Sequence, residues 1–263
     1  MDPIVTVLRF GDVERVVGGY GVMLTVALLV ASVIATRAAA RAGLDVGATI
    51  AAIGLTAGAA MLGSWLLYAA VEWARTGSPL AAVEQPGLVF FGAPLGGALA
   101  LWIACKKLGL PLGRLVDVAV PAIPAAHAMG RLGCFLGGCC YGLPWDGPWA
   151  VTYTHPLAPA AHPPVPRHPV PLYESAVLLV LALVFALVPL GEVGRGRRLA
   201  AYLACYGGAR IVLELFRGDR VRGLLLDGAV STSQLIGAAV AIAATGYLFA
   251  VRRRTVAPRP VAS

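Results

Sequence analysis

Seven apolar stretches, each close to the roughly 20 residues that a helix needs to cross a bilayer, occupy most of this chain. They lie at about 17 to 36, 47 to 71, 87 to 105, 117 to 136, 171 to 190, 199 to 216 and 230 to 251. Hydrocarbon offers no hydrogen-bond partner to the backbone, so such runs fold as helices that satisfy their own N–H and C=O groups. Composition agrees: 59% of residues are hydrophobic and 13% charged, with a mean hydropathy of +0.80, whereas a soluble domain carries about 25% charged residues. Pro94, Pro121 and Pro124 interrupt the third and fourth stretches. The expectation is an all-α integral membrane protein of about seven transmembrane helices, with residues 1–263 forming one polytopic membrane domain.

Orientation follows from positive charge, because Lys and Arg in short loops gather on the cytoplasmic side. The basic connectors hold Arg37 and Arg41, then Lys106, Lys107 and Arg114, then Arg195, Arg197 and Arg198, and finally Arg252, Arg253 and Arg254. They follow the first, third, fifth and seventh stretches. The intervening connectors are mixed, with Glu72, Arg75 and Glu84 in one and Asp146 with Arg167 in another. This alternation predicts an outside N-terminus, a cytoplasmic C-terminus, a short basic tail over 252–263 and an ordered, Pro-rich outer loop at about 137–170. The net charge of +8 then belongs to the inner rim and favours an anionic leaflet. Nucleic-acid binding is excluded as a class because no soluble basic domain is present. Ala38, Ala39 and Ala40 resemble a signal-peptidase site, but Asp2, Asp12 and Glu14 outweigh Arg9 and Arg15 ahead of the first stretch, so a retained helix is expected.

Two segments carry charge at membrane depth. In LAAYLACYGGARIVLELFRGD (199 to 219), Tyr206, Arg210, Glu214 and Arg217 recur at spacings that place them on one helix face. In HAMGRLGCFLGGCCYG (127 to 142), Arg131 sits among five glycines, which suggests a helix that breaks where its backbone must approach something closely. A membrane arginine costs about 3 kcal/mol or more unless a counter-charge, water or an anionic ligand meets it. The bland reading is a glycine-rich packing surface with the arginine snorkelling to the headgroups. Two such arginines in one chain favour an anion site.

These motifs resemble those of the prolipoprotein diacylglyceryl transferase family. GRLGCFLGGCCYG (130 to 142) is similar to the family's GRxGNFxNxExxG, RHPVPLYE (167 to 174) to RHPxQLYE, and CYGGARIVLELFR (205 to 217) to GYGxxRxxxExxR. Shorter echoes are YGVM (20 to 23), LVFFGAPLGG (88 to 97) and SQL (233 to 235). The resemblance implies seven helices with an outside N-terminus in a bacterial inner or plasma membrane. It also implies transfer of a diacylglyceryl group from phosphatidylglycerol to the lipobox cysteine thiol of a prolipoprotein signal peptide, with glycerol phosphate leaving and no cofactor. Phosphatidylglycerol, prolipoproteins and membrane lipids are the partners expected on this basis.

Carried onto this sequence, the resemblance makes Arg131 and Arg210 the residues that grip phosphate, a task suited to a guanidinium because it stays charged and bonds in two-pronged fashion. Glu174 and Glu214 either hold a guanidinium in place or, for Glu174, accept the thiol proton. Tyr206 orients Arg210 or a headgroup, or is an interfacial anchor. Arg217 steers headgroups or snorkels, and His168 shapes its loop or moves protons. Tyr20 and Tyr173 join the substrate-binding candidates through the YGVM and RHPVPLYE matches.

The departures fall at polar positions. Phe91 stands where the family has the histidine of a His-Gly-Gly motif, Cys134 replaces an asparagine and Cys139 a glutamate. Cys134 and Cys139 remain substrate-pocket candidates by position. Cys105 and Cys205 read as packing residues. For Cys134, Cys139 and Cys140 three readings stand open: packing or a disulfide from Cys134, which are preferred, a metal site lacking a further ligand, and a catalytic thiol. Two function classes therefore stand: the lipid transferase itself, and a divergent relative that binds anionic phospholipid or passes the lipid group to another acceptor.

Overall fold

The computed structural model describes residues 3–10, 13–78, 81–84, 87–89, 91–188, 194–219, 223–225 and 230–256. In chain order its elements are β1 (Ile4–Phe10), β2 (Val13–Gly18), α1 (Gly19–Arg41), α2 (Val46–Thr76), α3 (Ala81–Glu84), α4 (Gly92–Lys107), α5 (Leu112–Ala119), α6 (Ala122–Gly137), α7 (Val170–Leu187), α8 (Arg197–Glu214), β3 (Leu224–Leu225), β4 (Val230–Ser231) and α9 (Thr232–Val256). Among the described residues, helix covers most of each apolar stretch of the sequence. Among the described residues four helices are long and apolar enough to cross a membrane, namely α1, α2, α7 and α9 over Thr232–Val251. Their sides carry Leu29, Leu55, Val180 and Ile242 more than half exposed, a surface suited to lipid and costly in water. The chain is a helical membrane protein.

The fourth stretch is not one helix but two, α5 and α6, divided around Pro121. Proline lacks the N–H of a continuing helix but suits a first turn, so Pro121 caps α6 and Pro124 lies within its opening turn. Two short antiparallel pairs, β1 with β2 and β3 with β4, accompany the helices and were not expected. Residues 257–263 of the basic tail, and the side chains of Arg252, Arg253 and Arg254, lie outside the described residues.

The chain divides into two compact units. In Ser32–Ala119 with Val193–Arg195, α2 packs on α4. A methyl group on Gly63 or Gly92 would strike the other's backbone, and one on Gly96 would come within 2.5 Å of the Ala59 carbonyl oxygen. The glycines of GAPLGG therefore let two helices touch backbone to backbone. Phe91 occupies the N-cap position of α4 and is exposed. Asp117 is fully buried and accepts the Gly194 N–H at 2.9 Å.

The other unit comprises Met1–Ala31, Val120–Glu192 and Gly196–Ser263, in which α6 packs on α7, α7 on α8, and α8 on α9. A Cβ on Gly207 would lie 2.6 Å from the Gly237 carbonyl oxygen, so α8 and α9 also meet through glycine. Residues 138–169 form an ordered loop folded over a small core of Phe135, Tyr153, Ala158, Ala160 and Ala161. Tyr153 donates its hydroxyl to the Phe135 carbonyl at 2.9 Å, pinning this loop to the end of α6.

Candidate functional site

Three helices of this second unit bring a charge network together. Arg131 is one turn past His127 on α6, Glu174 lies in the first turns of α7, and Tyr206 is midway along α8. Glu174 is 1% exposed. Its Oε1 lies 3.1 Å from Arg131 Nε and accepts the Tyr206 hydroxyl at 2.6 Å. Arg131 Nε also points at His127 Nε2 at 3.3 Å, and that nitrogen is 3.9 Å from Glu174 Oε1. The neighbouring Ser175 hydroxyl donates to the Ala128 carbonyl at 3.2 Å, fixing α7 against α6 just below the ion pair. His127 meets the Tyr206 ring edge-on at 5.2 Å, and Tyr206 stacks on Tyr202 at 5.9 Å. A carboxylate this buried needs such partners, since an unpaired charge in low dielectric costs several kcal/mol.

Arg210 follows Tyr206 by one turn and is buried with Glu214, its Nη2 lying 2.6 Å from Glu214 Oε2. Its Nη1 is buried with no hydrogen-bond partner among the described residues. Through Tyr206, one turn back on α8, Arg210 adjoins the Glu174 that pairs with Arg131. Two guanidiniums and two carboxylates thus lie on neighbouring turns, and the buried Arg210 Nη1 is left without a partner among the described residues. Such an atom is suited to an incoming anion.

The expected stripe on α8 is shorter than its spacing suggested. The helix ends at Glu214, so Tyr206, Arg210 and Glu214 share it while Arg217 lies beyond. Arg217 is buried, not snorkelling, and grips Asp219 with two bonds of 2.8 and 2.5 Å. Burial opposes its charge, but the Asp219 bonds prevail and hold its pKa above the ordinary guanidinium value. Arg217 pairs with Gly142 in a short bridge, and Gly218 N–H donates to the Tyr141 carbonyl at 3.0 Å. This arrangement ties the end of α8 to the glycine-rich segment after α6.

That segment also departs from expectation. Its glycines do not break the helix at Arg131; α6 runs on to Gly137 and stops at Gly138, whose left-handed backbone at φ 67° caps it. Gly133 instead makes room for α1: a Cβ there would lie 3.1 Å from Met23 Cβ and 3.2 Å from the Tyr20 ring. Tyr20, half exposed, therefore lies against α6 at Gly133, two residues past Arg131.

His168 and Tyr173 belong to a second, aromatic cluster at the start of α7. His168 stacks on Trp145 with ring centroids 4.3 Å apart and meets Phe216 edge-on at 5.4 Å. Its Nδ1 lies 3.1 Å from the Tyr173 hydroxyl, which also accepts Trp149 Nε1–H at 2.9 Å. Cys134 and Cys139 are free thiols beside Cys140, with no disulfide among them.

His127, Asp219, Trp145 and Trp149 were not among the residues expected at the site. The i to i+4 spacing of His127 and Arg131 was an available signal. The two tryptophans lie in a loop whose folding no periodicity reveals.

The fold and site define a helical membrane protein with a buried arginine and carboxylate network set among apolar helices. A family model for prolipoprotein diacylglyceryl transferase matches residues 8–250. A phosphatidylglycerol--prolipoprotein diacylglyceryl transferase of Clostridium tetani is 32% identical, covering 83% of this chain and 86% of its own length. Those of Dehalococcoides mccartyi (30% identical, 97% and 95% covered) and Geobacter sulfurreducens (35%, 79% and 77%) are similar as well. The chain belongs to the prolipoprotein diacylglyceryl transferase family.

Proposed function

We propose that the chain transfers a diacylglyceryl group from phosphatidylglycerol to the lipobox cysteine of prolipoproteins, the activity named for its relatives. In this reading it is one polytopic domain of the bacterial inner or plasma membrane. About seven crossings are formed by α1, α2, α4, the α5–α6 pair, α7, α8 and α9, with the N-terminus outside. The alternation of basic connectors along the sequence supports that topology.

The observation that carries the chemistry is the buried Arg210 Nη1 left without a partner, one helix turn from the Tyr206 that bonds the holder of Arg131, Glu174. The acceptor thiolate attacks the glycerol carbon that bears the phosphate, the carbon–oxygen bond breaks, and glycerol phosphate departs with the electron pair. Negative charge grows on the phosphate in that transition state. Guanidiniums fixed beforehand stabilise it without reorganising. The same positive potential favours the thiolate over the thiol.

Glu174 is a holder of Arg131 in this scheme. Its Oε1 already takes a tyrosine hydroxyl and faces a guanidinium, so a thiol proton finds little left to bind. His127 Nε2 likewise accepts the Arg131 Nε–H, so the imidazole helps hold that guanidinium, and thiol ionisation is left to the positive potential of the two arginines. Glu214 anchors Arg210, while His168, Tyr173 and Arg217 shape the approach over the loop. Expression of this chain in a strain depleted of its own transferase tests the assignment. Restored lipidation of prolipoproteins supports it, and unlipidated prolipoprotein despite normal membrane levels of the chain refutes it. The redirected reading rests on Phe91, Cys134 and Cys139 at positions that are polar in the family motifs, and that second outcome favours it.

A further inference from the structure

Cys134, Cys139 and Cys140 bring their sulfur atoms within 4.8 Å of one another where α6 ends. Local backbone geometry produces this convergence. Gly138 turns the chain in the left-handed region, and the Cys139 N–H bonds back to the Cys134 carbonyl at 3.1 Å. Cys140 then adopts φ 56°, the one described non-glycine residue in that region. A side chain at positive φ is strained, and such strain gathers at functional sites. Cys105, by contrast, is buried singly among Ala104, Leu110 and Leu115 in an apolar cluster, as a thiol used for volume should be.

Number and geometry distinguish the remaining readings. A disulfide consumes two thiols and would leave the third inside the cluster. Three sulfurs suit a soft cation that accepts trigonal thiolate coordination, and they need no fourth ligand. With metal–sulfur bonds of about 2.3 Å, sulfurs in a trigonal plane stand about 4 Å apart, within the observed spread. We propose that Cys134, Cys139 and Cys140 form a binding site for one soft monovalent metal ion, Cu(I), bound as a three-thiolate complex. Soft sulfur ligands select Cu(I) over harder cations. On binding, the thiol protons pass to solvent and no electron is transferred. The bound ion would clamp the loop after Gly138 to the last turn of α6, one turn beyond Arg131.

The test uses the full chain, reduced and anaerobic, in lipid nanodiscs. Cu(I) is supplied as its bicinchoninate complex and retained copper is counted after the chelator is washed away. The expected result is one copper per chain, kept in Cys205→Ser and reduced at least tenfold in each of Cys134→Ser, Cys139→Ser and Cys140→Ser. Copper K-edge absorption on the unaltered protein guards against variants that fail to fold; it should show three sulfurs at about 2.3 Å, the spacing typical of metal–thiolate bonds. Absence of retained copper, copper that survives loss of any of the three thiols, or uptake of Zn(II) without Cu(I) overturns the proposal. So does mass-spectrometric detection of a disulfide among the three in protein isolated without reductant.

Discussion

Arg131 on α6 and Glu174 on α7 form an ion pair at 3.1 Å around a carboxylate that is 1% exposed. Removing one partner of such a pair strands the other, at a cost of roughly 3 to 5 kcal/mol, whereas removing both is far cheaper. Glu174→Leu should therefore lower the thermal midpoint in detergent more than the double variant Arg131→Leu with Glu174→Leu. Equal destabilisation by the single and double changes would show that the two residues are not coupled.

Tyr206 touches the pair through one hydroxyl, 2.6 Å from Glu174 Oε1. Hydrogen bonds to charged groups contribute about 1.5 to 3 kcal/mol. Tyr206→Phe should slow transfer by about tenfold or more, which corresponds to about 1.4 kcal/mol, with little change in KM for phosphatidylglycerol. A raised KM with an unaltered kcat would move Tyr206 from positioning the network to binding lipid.

At Arg210 the shape of the cation is expected to matter as much as its charge. A lysine ammonium cannot reproduce two-pronged phosphate contacts, and its reach differs. Arg210→Lys should lose about a hundredfold in rate, on the order of 3 kcal/mol of transition-state stabilisation. Near-normal turnover would reduce the role of Arg210 to that of a point charge.

For His127 the readout is a pH profile. Its Nε2 accepts the Arg131 Nε–H at 3.3 Å, and a glutamine amide oxygen can accept the same bond, so His127→Gln should stay within about tenfold of the normal rate near neutrality with a parallel pH profile. A variant slowed about a hundredfold near neutrality, whose rate recovers toward the ordinary thiol pKa of about 8.5, would instead assign proton transfer to the imidazole.

Helices, and the presence of Arg131 and Arg210 within them, were legible in the sequence because hydropathy and the cost of membrane charge act locally. The long helices α2 and α7 begin and end within a few residues of the stretches read as 47 to 71 and 171 to 190. The β1–β2 pair was not legible. Its alternation in IVTVLRF and VERVVG sits directly before an apolar run, where it reads as a polar lead-in to the first helix. Arg217 was misplaced because helical spacing continues past Glu214 in the sequence while the chain turns away to bridge Gly142. Tertiary pairing decided that, and no local pattern encodes it. The choice of Glu174 over Glu214 as partner of Arg131 was equally hidden, since it depends on α6 lying against α7.

Transfer from phosphatidylglycerol to a lipobox cysteine is tested most directly by reconstitution. The purified chain in phosphatidylglycerol nanodiscs is incubated with a synthetic lipobox peptide, and the peptide mass and released glycerol phosphate are followed together. The peptide cysteine should gain one diacylglyceryl group with one glycerol phosphate released per modified peptide, and both signals should fall about a hundredfold in Arg210→Lys. An unmodified peptide with no glycerol phosphate released, from protein whose thermal unfolding shows it to be folded, would contradict it.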